Sequence, residues 1–176
     1  HMPFKAVLMA ILISPMIVPL IITAAGMFFF YSKIGLTHTY LGLILAHTAL
    51  GTPFVVITVT ATLTGFDTNL IRASQSLGAD TMRTFFKVIM PLILPGVISG
   101  GLFAFITSFD EVVIVMFIGS VEQITIPKQM WAGLRQETSP VILCMATCLV
   151  ALSIALLTTV EMLRRRSERL RGIKQR

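Results

Sequence analysis

Arg72-Ala73-Ser74-Gln75-Ser76-Leu77-Gly78-Ala79-Asp80, followed by Phe85, Val88 and Met90-Pro91, is a polar interruption between two long apolar runs. Thr64 or Asp67 is placed to cap a helix running to Leu77, because a short side-chain oxygen satisfies the first free amides of a helix. Gly78 breaks that helix, since glycine reaches backbone angles that other residues avoid. Asp80 or Thr81 can cap a second short helix up to Met90, with Phe85, Phe86, Val88 and Ile89 on its apolar face. Residues 64–90 therefore read as two short helices hinged at a glycine and offered at a membrane surface to a soluble partner. A plain amphipathic connector lying on lipid has no need of this Gly and Pro spacing.

The membrane setting follows from what flanks the segment. Of 176 residues, 55% are hydrophobic and 12% charged, against about 25% charged in a soluble domain. Mean hydropathy is +0.88. The apolar runs are near the length of about 20 residues that a spanning helix needs. They lack the strict alternation of outer-membrane barrel strands. The fold class expected is all-α, a polytopic transmembrane helical bundle.

Four spans are expected, at about 4–30, 40–63, 92–118 and 139–162, within a membrane domain covering 4–163. His1-Met2 reads as a tag remnant, so 1–3 is a flank. Pro15 and Pro19 predict a kink or local unwinding near Ser14–Pro19 in span one. Tyr31 and Lys33 are expected at the interface, and 31–39 as a polar turn. Gly42 and Gly51 in span two, and Gly96, Gly100 and Gly101 in span three, are positions where another helix can approach closely. The tail, 164–176, carries seven bases and one acid, a surplus equal to the chain's whole net charge of +6. A basic tail after a span is the positive-inside signal, which puts the C-terminus in the cytoplasm and needs no nucleic-acid partner. With four crossings, 64–90 is cytoplasmic too, while 31–39 and 119–138 are external.

Few residues within the spans invite chemistry. Cys144 and Cys148 share a helix face but have no metal-ligand set around them, and read as packing thiols. No catalytic triad, phosphate loop or zinc site is present, so any ATP is hydrolysed elsewhere. His47 in span two is expected to hydrogen-bond between helices, to a carbonyl or a hydroxyl such as Thr48, with a substrate-path role kept open. Asp110 and Glu111 lie in the second half of span three. A carboxylate at a helix centre costs about 2.5–3.5 kcal/mol, so the pair needs a reason. Either they form an acidic mouth for a cationic solute, or they are structural, bonded to Lys128, Arg135 or helix ends. Trp131, in a short amphipathic piece around 129–135, reads as an interfacial anchor, and with Met130 it is also a candidate contact for an external protein.

The 64–90 loop resembles the cytoplasmic coupling loop of bacterial ABC-importer permeases. Arg72-Ala73-Ser74, Gly78-Ala79, Phe85, and Val88-Ile89-Met90-Pro91 stand at that signature's spacing, with Arg72 where the family has Glu and Ser74 where it has the second Ala. Ala46-His47-Thr48, Ser108-Phe109-Asp110-Glu111-Val112-Val113, Ile126-Pro127-Lys128-Gln129-Met130-Trp131-Ala132-Gly133-Leu134-Arg135 and Ser139-Pro140-Val141-Ile142 are similar to the spermidine/putrescine-type permeases. The resemblance implies a permease of the bacterial inner membrane, not an enzyme, with no cofactor of its own. Its implied partners are an ATP-binding cassette ATPase dimer that holds ATP and Mg, a second permease subunit, identical or not, and a periplasmic solute-binding protein. Arg72, Ala73, Ser74, Gly78, Ala79, Phe85 and Pro91 would couple to the ATPase, and a push there would tilt span three. Such permeases carry about two further spans ahead of the region matching span one. Iron, thiamine or phosphonate are alternative solutes. A secondary transporter using Asp110, Glu111 and His47 as a proton relay, and a non-transporting scaffold, are the readings outside the class.

Overall fold

The computed structural model describes residues 4–136 and 140–170. The flank at 1–3 and the end of the basic tail, 171–176, lie outside the described residues, as do the side chains of the tail from Arg164 on. The order is α1 Lys5–Ile17, α2 Leu20–Ile34, α3 Tyr40–Thr64, α4 Asn69–Ser76, α5 Thr81–Thr84, a π turn Phe85–Ile89, α6 Met90–Phe109, α7 Val113–Ile118, α8 Ile126–Gln136 and α9 Pro140–Leu170. Among the described residues there is no strand. Among the described residues three helical stretches are long and apolar enough to cross a membrane, or four if α1 and α2 count as one broken span.

Span one is where sequence and structure differ most. Its apolar run is two helices bent by 109°, not one kinked rod. Val18 is extended (φ −73°, ψ 135°) and Pro19 follows with no amide to donate, the conformation that a residue before proline favours. At 1.5 Å per residue, α1 and α2 are each about 20 Å long, short of a bilayer core of about 30 Å. α2 also continues through Tyr31 and Lys33 to Ile34 before Gly35 ends it in a left-handed turn (φ 72°). Tyr31 packs inward rather than on the surface: it is buried with Ala24, Ala46, Leu50, Ile114 and Ile118 in the core where α2, α3 and α7 meet.

The principal pairing is α3 against α6. It is antiparallel, because Gly51 meets Ala104, Val55 meets Gly100 and Thr62 meets Gly96. The glycines set the approach: a Cβ at Gly100 would stand 2.6 Å from the Val55 Cα, and one at Gly51 would stand 2.8 Å from the Ala104 Cβ. Thr58 and Thr62 fit against the bare glycines by turning their hydroxyls onto their own helix, at Phe54 O and Thr58 O, both 2.9 Å. Phe54 and Phe103 stack across the seam at 6.3 Å.

Span three is longer at one end and shorter at the other than its apolar run implies. The helical path starts at Thr81, passes the π turn and stops at Phe109. Residues 110–112 break it before α7. The apolar run Val112-Val113-Ile114 hides that break from a hydropathy reading.

Candidate functional site

Two places carry polar groups that packing alone does not call for, and the antiparallel α3–α6 pair puts them at opposite ends. At one end is a cleft of about 710 Å³ whose polar wall comprises His47, Thr48, Thr52, Ser108, Glu122, Gln123 and Thr125, with Tyr40 on its rim. His47 Nδ1 and Ser108 Oγ are 2.9 Å apart, tying α3 to α6. The interhelical bond expected of His47 exists, and its partner is Ser108. Thr48 instead donates to Ile44 O, and Thr52 to Thr48 O, each at 2.7 Å. With those protons committed along the helix, the two hydroxyl oxygens offer the cleft lone pairs alone.

The loop 119–125 closes one side of the cleft and is held rigidly. Ser120 N donates to Gln123 Oε1 at 2.9 Å, and Gln123 N to Ser120 Oγ at 3.2 Å. Lys128 Nζ donates to both Ser120 O and Gln123 O at 3.2 Å. His38, left-handed at φ 61°, fastens the α2–α3 turn to the same region: its amide donates to Ile118 O at 2.8 Å, and its Nδ1 is 3.2 Å from Gly119 O. Glu122 is thus presented from a fixed loop, and it is the cleft's acidic residue. Sequence reading passed over it as a loop charge; only its position inside the Ser120–Gln123 turn could have flagged it.

The other two acids stand elsewhere. Glu111 is 5% exposed, and its carboxylate accepts from Ile114 N at 2.9 Å through each oxygen and from Val115 N at 3.3 Å. It caps α7, and it lines one cavity together with Asp110. This is bonding at a helix end; Lys128 donates elsewhere, to Ser120 O and Gln123 O, and the side chain of Arg135 lies outside the described residues. Asp110 is exposed at the end of α6. It borders a cavity of about 540 Å³ with Pro15, Met16 and Leu20, and a smaller one of about 260 Å³ with Met130 and Trp131. Met130 and Trp131 lie on α8 and face α9 across that smaller cavity. His47, Asp110 and Glu111 therefore do not share one cavity.

At the opposite end is the elbow. Asp67 Oδ1 accepts from Asn69 N at 2.9 Å ahead of α4, and Asp80 Oδ1 accepts from Arg83 N at 2.7 Å ahead of α5. Gly78 turns the chain between them at φ 80°, a region L side chains rarely enter. Leu77, Met82 and Phe86 are exposed around the bend, and Arg72 and Ala73 are exposed on α4. Phe85 opens the π turn, stacked edge-on against Phe86 at 5.1 Å, and Pro91 stands in the first turn of α6. Among the described residues no cluster of His, Cys, Asp or Glu is gathered to hold a metal.

Residues 2–169 match the family described as binding-protein-dependent transport system inner membrane component. The chain is 30% identical over 152 residues to the spermidine/putrescine transport system permease protein PotC of Haemophilus influenzae, covering 86% of this chain and 59% of that one. It is 29% identical to PotC of Escherichia coli over 150 residues, 85% of this chain and 57% of the relative. The putrescine transport system permease protein PotI of Escherichia coli is 28% identical over 145 residues, 78% of this chain and 51% of its own length. The chain thus spans between one-half and three-fifths of the length of these relatives. The fold is similar to a chain of the MetNI methionine ABC transporter in an inward-facing conformation, with a TM-score of 0.73 at 21% identity, covering 92% of this chain and 73% of that one.

Proposed function

The chain belongs to the family of binding-protein-dependent transport system inner membrane components, and from that premise we propose that it is a permease subunit of an ATP-driven importer for a small cationic amine of the polyamine class. It works with a second permease subunit, an ATPase dimer that carries the ATP and Mg, and a solute-binding protein on the outer side. The elbow at 64–90 and the basic C-terminal tail face the cytoplasm. Arg72, Ala73, Ser74, Gly78, Ala79, Phe85 and Pro91 form the coupling surface and its lead into α6. The loop 119–125 and the α8 residues Met130 and Trp131 face outward.

The observation that supports a cationic amine best is the character of the cleft wall. A protonated amine is a donor with no lone pair to offer, so it needs acceptors. Thr48 and Thr52 present acceptor oxygens, Glu122 a carboxylate, and Tyr40 an aromatic face within reach of a cation. His47, fixed by Ser108, sets the spacing of the wall. Asp110, around the break, gives the neighbouring cavity a second carboxylate. A proton-relay transporter would need His47, Asp110 and Glu111 in one chain of contacts, and Glu111 is bound to the α7 backbone instead.

Reconstitution of the complete transporter in vesicles is the test. Labelled spermidine or putrescine should accumulate only with ATP and the binding protein, and collapsing the proton gradient should leave the rate unchanged. Uptake that follows the proton gradient and ignores ATP would sink the importer reading.

A further inference from the structure

Gly78 and Ala79 join the two limbs of the elbow through the main chain, with Gly78 at φ 80°, where glycine has more conformational freedom than other residues. A second connection exists. Ser74 Oγ on α4 and Thr84 Oγ1 on α5 are 2.9 Å apart. Ser74 Oγ also donates to Ile71 O at 2.9 Å, so its proton is used and its lone pairs are left to accept from the Thr84 hydroxyl. Thr84 is 2% exposed, deep under the bend. The carbonyl of Ser74 takes the Ala79 amide at 3.0 Å and the Leu77 amide at 3.2 Å, so the same residue anchors the turn itself. Thr84 runs straight into the π turn and α6. α4 packs against α5 and the π turn.

We infer that Ser74 and Thr84 are positioning residues, a hydroxyl strut that makes the two limbs of the elbow move as one body and carries displacement of α4 into α6. This rests on the importer reading above and adds to it which contact transmits the stroke. Without the strut, α4 can swing about Gly78–Ala79 while α6 stays still. ATP is then hydrolysed with less solute moved.

The quantity to measure is solute imported per ATP hydrolysed by the complete transporter in vesicles. Thr84→Val, a buried position outside the coupling surface, should lower that ratio by about two- to tenfold, the range set by one net hydrogen bond, with the ATPase still co-purifying, and Ser74→Ala should lower it at least as far. The double variant should fall no further than the worse single one, because both remove the same bond. Thr84→Ser, which keeps the hydroxyl, should hold the wild-type ratio. An unchanged ratio in the single variants, multiplied losses in the double, or a Thr84→Ser that fails like Thr84→Val would overturn the strut. Where the Ala or Val variant does not assemble, Ser74→Cys with Thr84→Cys, in a background lacking Cys144 and Cys148, replaces the hydrogen bond by a reducible one. The oxidised pair should transport at the wild-type ratio and the reduced pair below it; equal ratios in both states would overturn the strut. If the unaltered chain neither binds nor activates the ATPase, the importer reading itself fails and takes the strut with it. A wild-type complex that imports normally beside unaffected variants removes the strut alone.

Discussion

Glu111 shows how a residue can be read as unusual from sequence while two reasons for it stay open. Its charge inside an apolar run was plain in the sequence. Its role was not, because Val112-Val113-Ile114 continues the run and conceals that a new helix begins there. The acid standing three positions before Ile114 is the one sequence sign of a cap. Glu111→Ala would leave buried amides at Ile114 and Val115 without their acceptor, and thermal or chemical denaturation in detergent should show a loss of about 1.5–3 kcal/mol. Glu111→Gln, which keeps one acceptor oxygen, should lose less. Glu122 is the converse case, an unremarkable loop acid made significant by a clamp of Ser120, Gln123 and Lys128 that only coordinates reveal. Glu122→Gln should reduce amine uptake by about tenfold, the worth of one charge-assisted contact, while leaving the amount of protein in the membrane unchanged. Asp110→Asn should lower uptake more than it lowers expression; equal loss of both would mark Asp110 as purely structural.

Among the elements, the elbow was the most legible, because Asp67, Gly78 and Asp80 are punctuation that local physics enforces: two caps and a left-handed turn. The bend between α1 and α2 was half legible. Pro15 and Pro19 announced a disturbance, but its 109° size depends on how α1 lies on α3, a tertiary matter. Nothing in Phe85-Phe86-Lys87-Val88-Ile89 announced a π turn, whose wider hydrogen-bond pattern has no composition of its own. Gly78→Val should abolish co-purification with the ATPase. No atom lies within 4 Å of the added Cβ, so the damage is conformational: a β-branched residue at φ 80° costs on the order of 1–3 kcal/mol and the elbow refolds. Unchanged co-purification would remove the elbow from the docking surface. Gly100 fails for the opposite reason, through space. Gly100→Leu should part α3 from α6 and prevent stable folding, seen as loss of a monodisperse peak in detergent.

For the whole molecule, antiparallel packing of α3 and α6 separates the cleft from the elbow by the length of α6, 20 residues, or about 30 Å at 1.5 Å each. On the importer reading, the two open to opposite sides of the membrane. Leu77 and Val121 are 89% and 90% exposed. With Cys144 and Cys148 replaced by alanine, Leu77→Cys should react with an impermeant thiol reagent only in inverted vesicles, and Val121→Cys only in intact cells. Labelling of both from one side would contradict the packing. Between elbow and cleft sits the wide turn at Phe85–Ile89, followed by Pro91 and Pro95, neither of which can donate an amide. A wide turn holds one residue beyond the α-helical count, and absorbing that surplus into regular helix would wind everything after it through about 100°. The joint therefore has torsional play, and a screw-like rotation of α6 about its own axis is the motion to which this shaft yields most readily.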